Sequence, residues 1–133
     1  MRLITSALIG VISWATLFSP SVVADSFQGI LDDKGRPVPV IFDLRTDATS
    51  GASAGHIRFG GPWACGFEVE LAQVTALQHT YFLKGAGAGR CTVLTAGYLH
   101  SQAADEGLAI SLADSSNRLP ALYRVIVQPS GAR

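Results

Sequence analysis

The sequence has too little charge of either sign to serve a nucleic acid. Only 15% of its 133 residues are Asp, Glu, Lys or Arg, and ten basic side chains balance ten acidic ones. A dedicated nucleic-acid surface needs clustered excess Lys and Arg, so no nucleic-acid partner is expected. Cysteine is as scarce: Cys65 and Cys91 have no CxxC spacing and no companion Cys/His cluster, which excludes a zinc-finger type of site. Gly51-Ala52-Ser53-Ala54-Gly55 has the GxSxG spacing but no helical pattern to follow it, and there is no HExxH and no GK[ST] loop, so the usual local signatures of serine hydrolases, zinc peptidases and P-loop nucleotide enzymes are incomplete or missing. No segment repeats apolar residues at i, i+3, i+4, i+7 over helical length. Hydrophobic residues make up 48% of the chain, which excludes a wholly disordered one. The length suits one small domain.

The one long apolar run stands at the start. Arg2 supplies a positive charge, Leu3 to Phe18 is apolar apart from small hydroxyl residues, Pro20 breaks the run, and Val22-Val23-Ala24 offers small residues for cleavage. That layout predicts a secretory signal peptide over residues 1–24. Sixteen helical residues span about 24 Å, short of the ~30 Å of a bilayer's hydrocarbon core. No Cys lies near the cleavage point to carry a lipid. The expected mature chain is Asp25–Arg133, which is 133 − 24 = 109 residues in a single β domain. No later run approaches membrane length, so a periplasmic or secreted address is expected, with no membrane span after cleavage.

Export explains the cysteines. The exported compartment is oxidising, and Cys65 and Cys91 allow one intramolecular pairing. Closing that loop stabilises the fold by roughly 3.5 kcal/mol in the chain-entropy model, a large share of a small domain's net stability.

The body of the chain reads as strands and turns. Cys65, Phe67, Val69 and Leu71 alternate with Gly66, Glu68 and Glu70, and Leu108, Ile110 and Leu112 share one face of Gly107–Ala113. Val38, Val40, Phe42 and Leu44 share another, with Pro39 marking an edge or a strand start. Further strands are predicted at Phe27–Leu31, Gly55–Phe59, His79–Lys84, Cys91–His100 and Leu119–Gln128. Asp32-Asp33-Lys34-Gly35 is a hairpin turn, and Ser101–Glu106 carries the cap and stop of one helical turn. About eight short strands with almost no helix predict an all-β fold, a small antiparallel sandwich or barrel stapled by one disulfide. A faint repeat sets Gly55-His56-Ile57 against Gly97-Tyr98-Leu99, Gly66–Ala72 against Gly107–Ala113, and Val40–Arg45 against Thr80–Lys84.

No catalytic residue is assigned. Gly85–Arg90 looks like a phosphate loop but does not open a helix after a first strand, so it reads as a strand connection. Lys84 and Arg90 at its base can attract an anion, and Arg58 on the Gly55–Phe59 strand joins them as a candidate contact. Trp63 follows Gly60-Gly61-Pro62 beside the first cysteine. It is read either as a recognition residue on a rigid loop or as a lid on the core. His56, His79 and His100 are weak candidates for a metal, because none has local ligand spacing. No cofactor and no metal are expected.

The leading expectation is a non-enzymatic exported domain that binds a macromolecule through a loop or sheet face. It would be an inhibitor, immunity or interaction module whose partner is a protein of the same compartment. The alternatives are a small-ligand-binding barrel carrier, since eight strands can enclose one small ligand, and a small metal-dependent enzyme built on the three histidines.

Overall fold

A computed structural model describes residues 24–45 and 48–130. The predicted leader therefore lies outside the described residues except for Ala24, where the first strand begins. Among the described residues there are eight strands: β1 (Ala24–Asp33), β2 (Arg36–Arg45), β3 (Ser53–Phe59), β4 (Cys65–Val74), β5 (His79–Lys84), β6 (Tyr98–Ala104), β7 (Gly107–Ala113) and β8 (Tyr123–Pro129). Each pairs antiparallel with the next, and β8 returns to β1 through Phe27↔Pro129 and Gln28↔Gln128. The result is a closed up-and-down barrel, the architecture that removes sheet edges altogether.

Period-two alternation decides which side of each strand faces in. Val40 and Phe42 on β2, Ile57 on β3, Val69 on β4, Leu83 on β5 and Leu112 on β7 are all fully buried. Their outward neighbours include Arg58, Glu68, Lys84 and Arg124. This is the reverse of a transmembrane β-barrel, whose outer band is apolar and whose interior is polar. Among the described residues, no helix is long and apolar enough to cross a membrane.

So small a barrel closes only if its strands bend sharply. Gly55 sits on β3 with φ +141°, and a Cβ there would run into the carbonyl oxygen of Asp43 on β2. Gly29 plays the same part on β1, against the carbonyl of Ile126 on β8. The β1–β2 hairpin turns through Lys34 (φ 52°) and Gly35 (φ 86°), while Asp32 Oδ1 accepts the Gly35 N–H at 2.8 Å. Pro39 lies just past Val40↔Phe59, the last β2–β3 pair towards the hairpin, so its missing N–H costs no bond to β3; its carbonyl accepts from Gly60 N at 2.8 Å.

The predicted strand over Cys91–His100 is corrected. Gly89–Leu94 forms a 3-10 helix, and β6 begins only at Tyr98. At three residues per turn, Cys91 and Leu94 fall on one side, and both are buried. Cys91 is bonded to Cys65 at the start of β4, with the two Cα atoms 6.2 Å apart. Tethering and burial override the β-branched composition of Cys91-Thr92-Val93. Ser101–Glu106 is not helical either: Ser101 and Ala103 belong to β6, paired with Ile110 and Leu108, and Asp105-Glu106 is the hairpin turn. β8 starts at Tyr123, because Asp114–Leu122 loops outward before it.

Candidate functional site

The strand register assembles a patch that no segment holds alone. On the outer surface Asp43, His56, Glu68 and Lys84 lie side by side across β2, β3, β4 and β5. Two residues along each strand, the next row runs Ile41, Arg58, Gly66. Gly66 has no side chain, so the sheet is bare there. With Pro39, Gly60 and Ala64 beyond it, the two rows enclose an open groove of about 850 Å³. Its floor is backbone and small apolar groups, and its walls are charged.

The charges in and beside the groove are paired loosely. Arg58 Nη2 stands 3.6 Å from Asp43 Oδ2, and Lys84 Nζ stands 3.5 Å from Glu70 Oε2. The two basic side chains are 66% and 58% exposed. Exposed pairs of this kind contribute little to stability, so both cations can exchange their acid for one brought by a partner at small cost. Ile41 adds an apolar contact, 39% exposed on an otherwise polar face.

The structure thus brings Arg58 and Lys84 together and leaves the other candidates elsewhere. Arg90 lines a separate hollow of about 300 Å³ with Asp32, Lys34 and Tyr123, beyond the glycine-rich segment. Trp63 is only 4% exposed. Its ring lies tilted against that of Phe59 at 5.0 Å and meets Tyr123 edge-on at 4.9 Å, and its indole N–H donates to Asp33 Oδ2 at 2.9 Å. Trp63 plugs one end of the barrel and presents almost no surface.

The three histidines have three different settings. His56 belongs to the groove's charged row. His79 sits at the barrel end opposite Trp63, its Nδ1 3.4 Å from the Tyr81 hydroxyl. His100 points outward on β6 and ties three elements together. Its Nε2 lies 2.7 Å from Asn117 Oδ1, and its Nδ1 lies 3.0 Å from both Gln78 Nε2 and Thr80 Oγ1. An amide oxygen accepts and an amide nitrogen donates, so the tautomer with its hydrogen on Nε2 satisfies both contacts. Among the described residues, no three His, Cys, Asp or Glu side chains form a group suited to a metal ion.

Two buried hydroxyls were not legible as site residues. Tyr81 is 2% and Ser101 5% exposed, and both side chains lie on the inner face of the barrel. Burial pushes the Tyr81 phenol above its ordinary range, and the neighbouring Ser101 hydroxyl opposes that in part. Ser101 is hidden in the sequence because a serine before a short polar run reads as a helix cap. At the surface, the Ser116 hydroxyl and backbone N–H both donate to Asp114 and hold its carboxyl below the usual range, shaping the β7–β8 loop.

Comparison with protein-family models, with curated proteins and with solved structures finds no match to this chain.

Proposed function

We propose that this protein is an exported, non-enzymatic β-barrel that binds a protein of the same compartment through the outer face of β2–β5. It would act as an inhibitor, immunity or interaction module. The observation that carries this reading is the meeting of Arg58 and Lys84 in one groove, where loosely held charges flank a bare, partly apolar floor. Fixed strands present these groups without a backbone ordering cost, which favours affinity.

The apolar leader pattern and the disulfide both support export: the bridge fits an oxidising compartment, and the leader is the usual route to one. The carrier reading has less behind it, because the middle of the barrel is filled by Phe42, Ile57, Val69, Leu83, Leu99 and Leu112. A ligand large enough to need the whole lumen has no room there. The histidine-based enzyme would need three residues that stand in separate settings to act at one ion.

The test is affinity capture from the native compartment with the tagged protein. A stoichiometric complex with one protein, and a mature N-terminus at Asp25, are expected. Turnover of a substrate by the pure protein would contradict the reading.

A further inference from the structure

The two ends of the barrel differ. One is plugged by Trp63, held to Asp33 and packed on Phe59 and Tyr123. The other ends in a hollow of about 200 Å³, whose walls include Leu44, Leu77 and Leu108, with Tyr81 and Ser101 at its floor and His79 at its rim. Apart from Leu77, which comes from the β4–β5 turn, these residues occupy inward positions at the strand ends. The space exists because β6 contributes the small Ser101 and Ala103, where β2 and β7 contribute Leu44 and Leu108.

We propose that this open end binds a small neutral amphiphile carrying one hydroxyl, of the class of medium-chain alkanols and simple phenols. The inference does not depend on the outer-face reading. The walls are aliphatic and ask for an apolar body, since burying such surface is the main favourable contribution available. The floor asks for a hydrogen-bonding head. Tyr81 and Ser101 are each more than nine-tenths buried at this end of the barrel. Ser101 pairs with His79 in the β5–β6 register, and the Tyr81 oxygen lies 3.4 Å from His79 Nδ1. A hydroxyl both donates and accepts. A ligand hydroxyl can therefore be met here by the phenol, the serine hydroxyl and the imidazole, and pair its own donor and acceptor among them.

The head is neutral because the floor is neutral. The two buried groups are hydroxyls, and burial holds the phenol in its protonated form. A carboxylate or ammonium head would shed its water against them without gaining a buried countercharge, which is costly. Size sets the body. At about 30 Å³ per water-sized unit, the hollow holds on the order of seven non-hydrogen atoms, the size of 1-hexanol or phenol.

The experiment titrates 1-hexanol, phenol and hexanoate into the isotope-labelled protein at pH 8, followed by amide chemical shifts. Saturable shifts are expected at Tyr81, Ser101 and Leu108 with 1-hexanol and phenol, and at least tenfold weaker binding is expected for hexanoate. Ser101→Ala and Tyr81→Phe keep the shape and remove one hydroxyl each. Each should weaken 1-hexanol about two- to tenfold, the loss expected for one hydrogen bond. Ala103→Phe should fill the mouth and abolish binding, with a dispersed spectrum confirming that the barrel is intact. Shifts centred on the outer groove, equal binding of hexanoate, or binding unchanged by Ala103→Phe or by both hydroxyl deletions would overturn the proposal. So would the absence of any saturable shift in wild type at millimolar ligand.

Discussion

Trp63 donates its indole N–H to the buried carboxylate of Asp33 across 30 residues of sequence, and the ring lies against Tyr123 at the start of β8. One side chain thereby ties the ends of β1, β3 and β8 at one end of the barrel. Trp63→Phe should keep much of the packing but leave the Asp33 oxygen without its donor, at a cost of ~1–3 kcal/mol. Trp63→Ala should cost ~3–5 kcal/mol, because it also opens a cavity. Chemical denaturation of both variants checks the order. Pairing each with Asp33→Ala in a double-mutant cycle isolates the hydrogen bond.

The disulfide holds the 3-10 helix onto β4, and Cys91 has no exposed surface. Cys65→Ser should lower stability by ~2–5 kcal/mol, and reductant should lower the melting temperature of wild type to a similar degree. Equal melting with and without reductant would show that the bridge contributes nothing.

Tyr81 ties stability to alkaline pH. Its phenol ionises above the ordinary value of 10.0, because burial disfavours the phenolate. A group raised in this way contributes stability that is fully present below the unfolded value, near pH 10. That contribution is lost as pH rises through the folded value. Relative to Tyr81→Phe, wild type should hold a constant stability difference below pH 10 and lose ground above it. Parallel urea titrations across that range measure the difference.

Two glycines with positive φ should respond differently to alanine. At Gly35 an added Cβ meets nothing within 4 Å, so only backbone strain is paid, about 1 kcal/mol. At Gly55 the same methyl is driven into the Asp43 carbonyl, and β2 or β3 must move. Gly55→Ala should therefore be the more destabilising of the two, by thermal melting, and should loosen the β2–β3 pairing seen by amide exchange.

Much of the fold could be read in advance where one face alternates cleanly. Phe67, Val69 and Leu71, and likewise Ile110 and Leu112, are inward as their spacing implies. The repeat keeps this sense for β3 against β6 and for β4 against β7: Ile57 and Leu99 are both buried, as are Leu71 and Leu112. It fails for β2 against β5. The offset of 40 sets inward Phe42 against Phe82, whose ring meets Tyr98 on the outer face. Cys91–Leu94 misled because its composition favours a strand, while the tether to Cys65 favours a tight turn of helix. The groove was half legible. Arg58 and Lys84 stood out as cations, but the row Asp43, His56, Glu68, Lys84 comes from four separate strands. Only the pairing register, set by turn lengths and by the irregularity between Ser53 and Gly55, brings it together.

The groove is tested most directly by charge reversal. The captured partner is titrated against wild type and against Arg58→Glu/Lys84→Glu, a variant whose changes lie at exposed positions and leave the barrel core untouched. A loss of affinity of at least tenfold, with the barrel's dispersed amide spectrum retained, is the predicted result. Undiminished binding by the doubly reversed protein would contradict the assignment of the outer face of β2–β5 as the recognition surface.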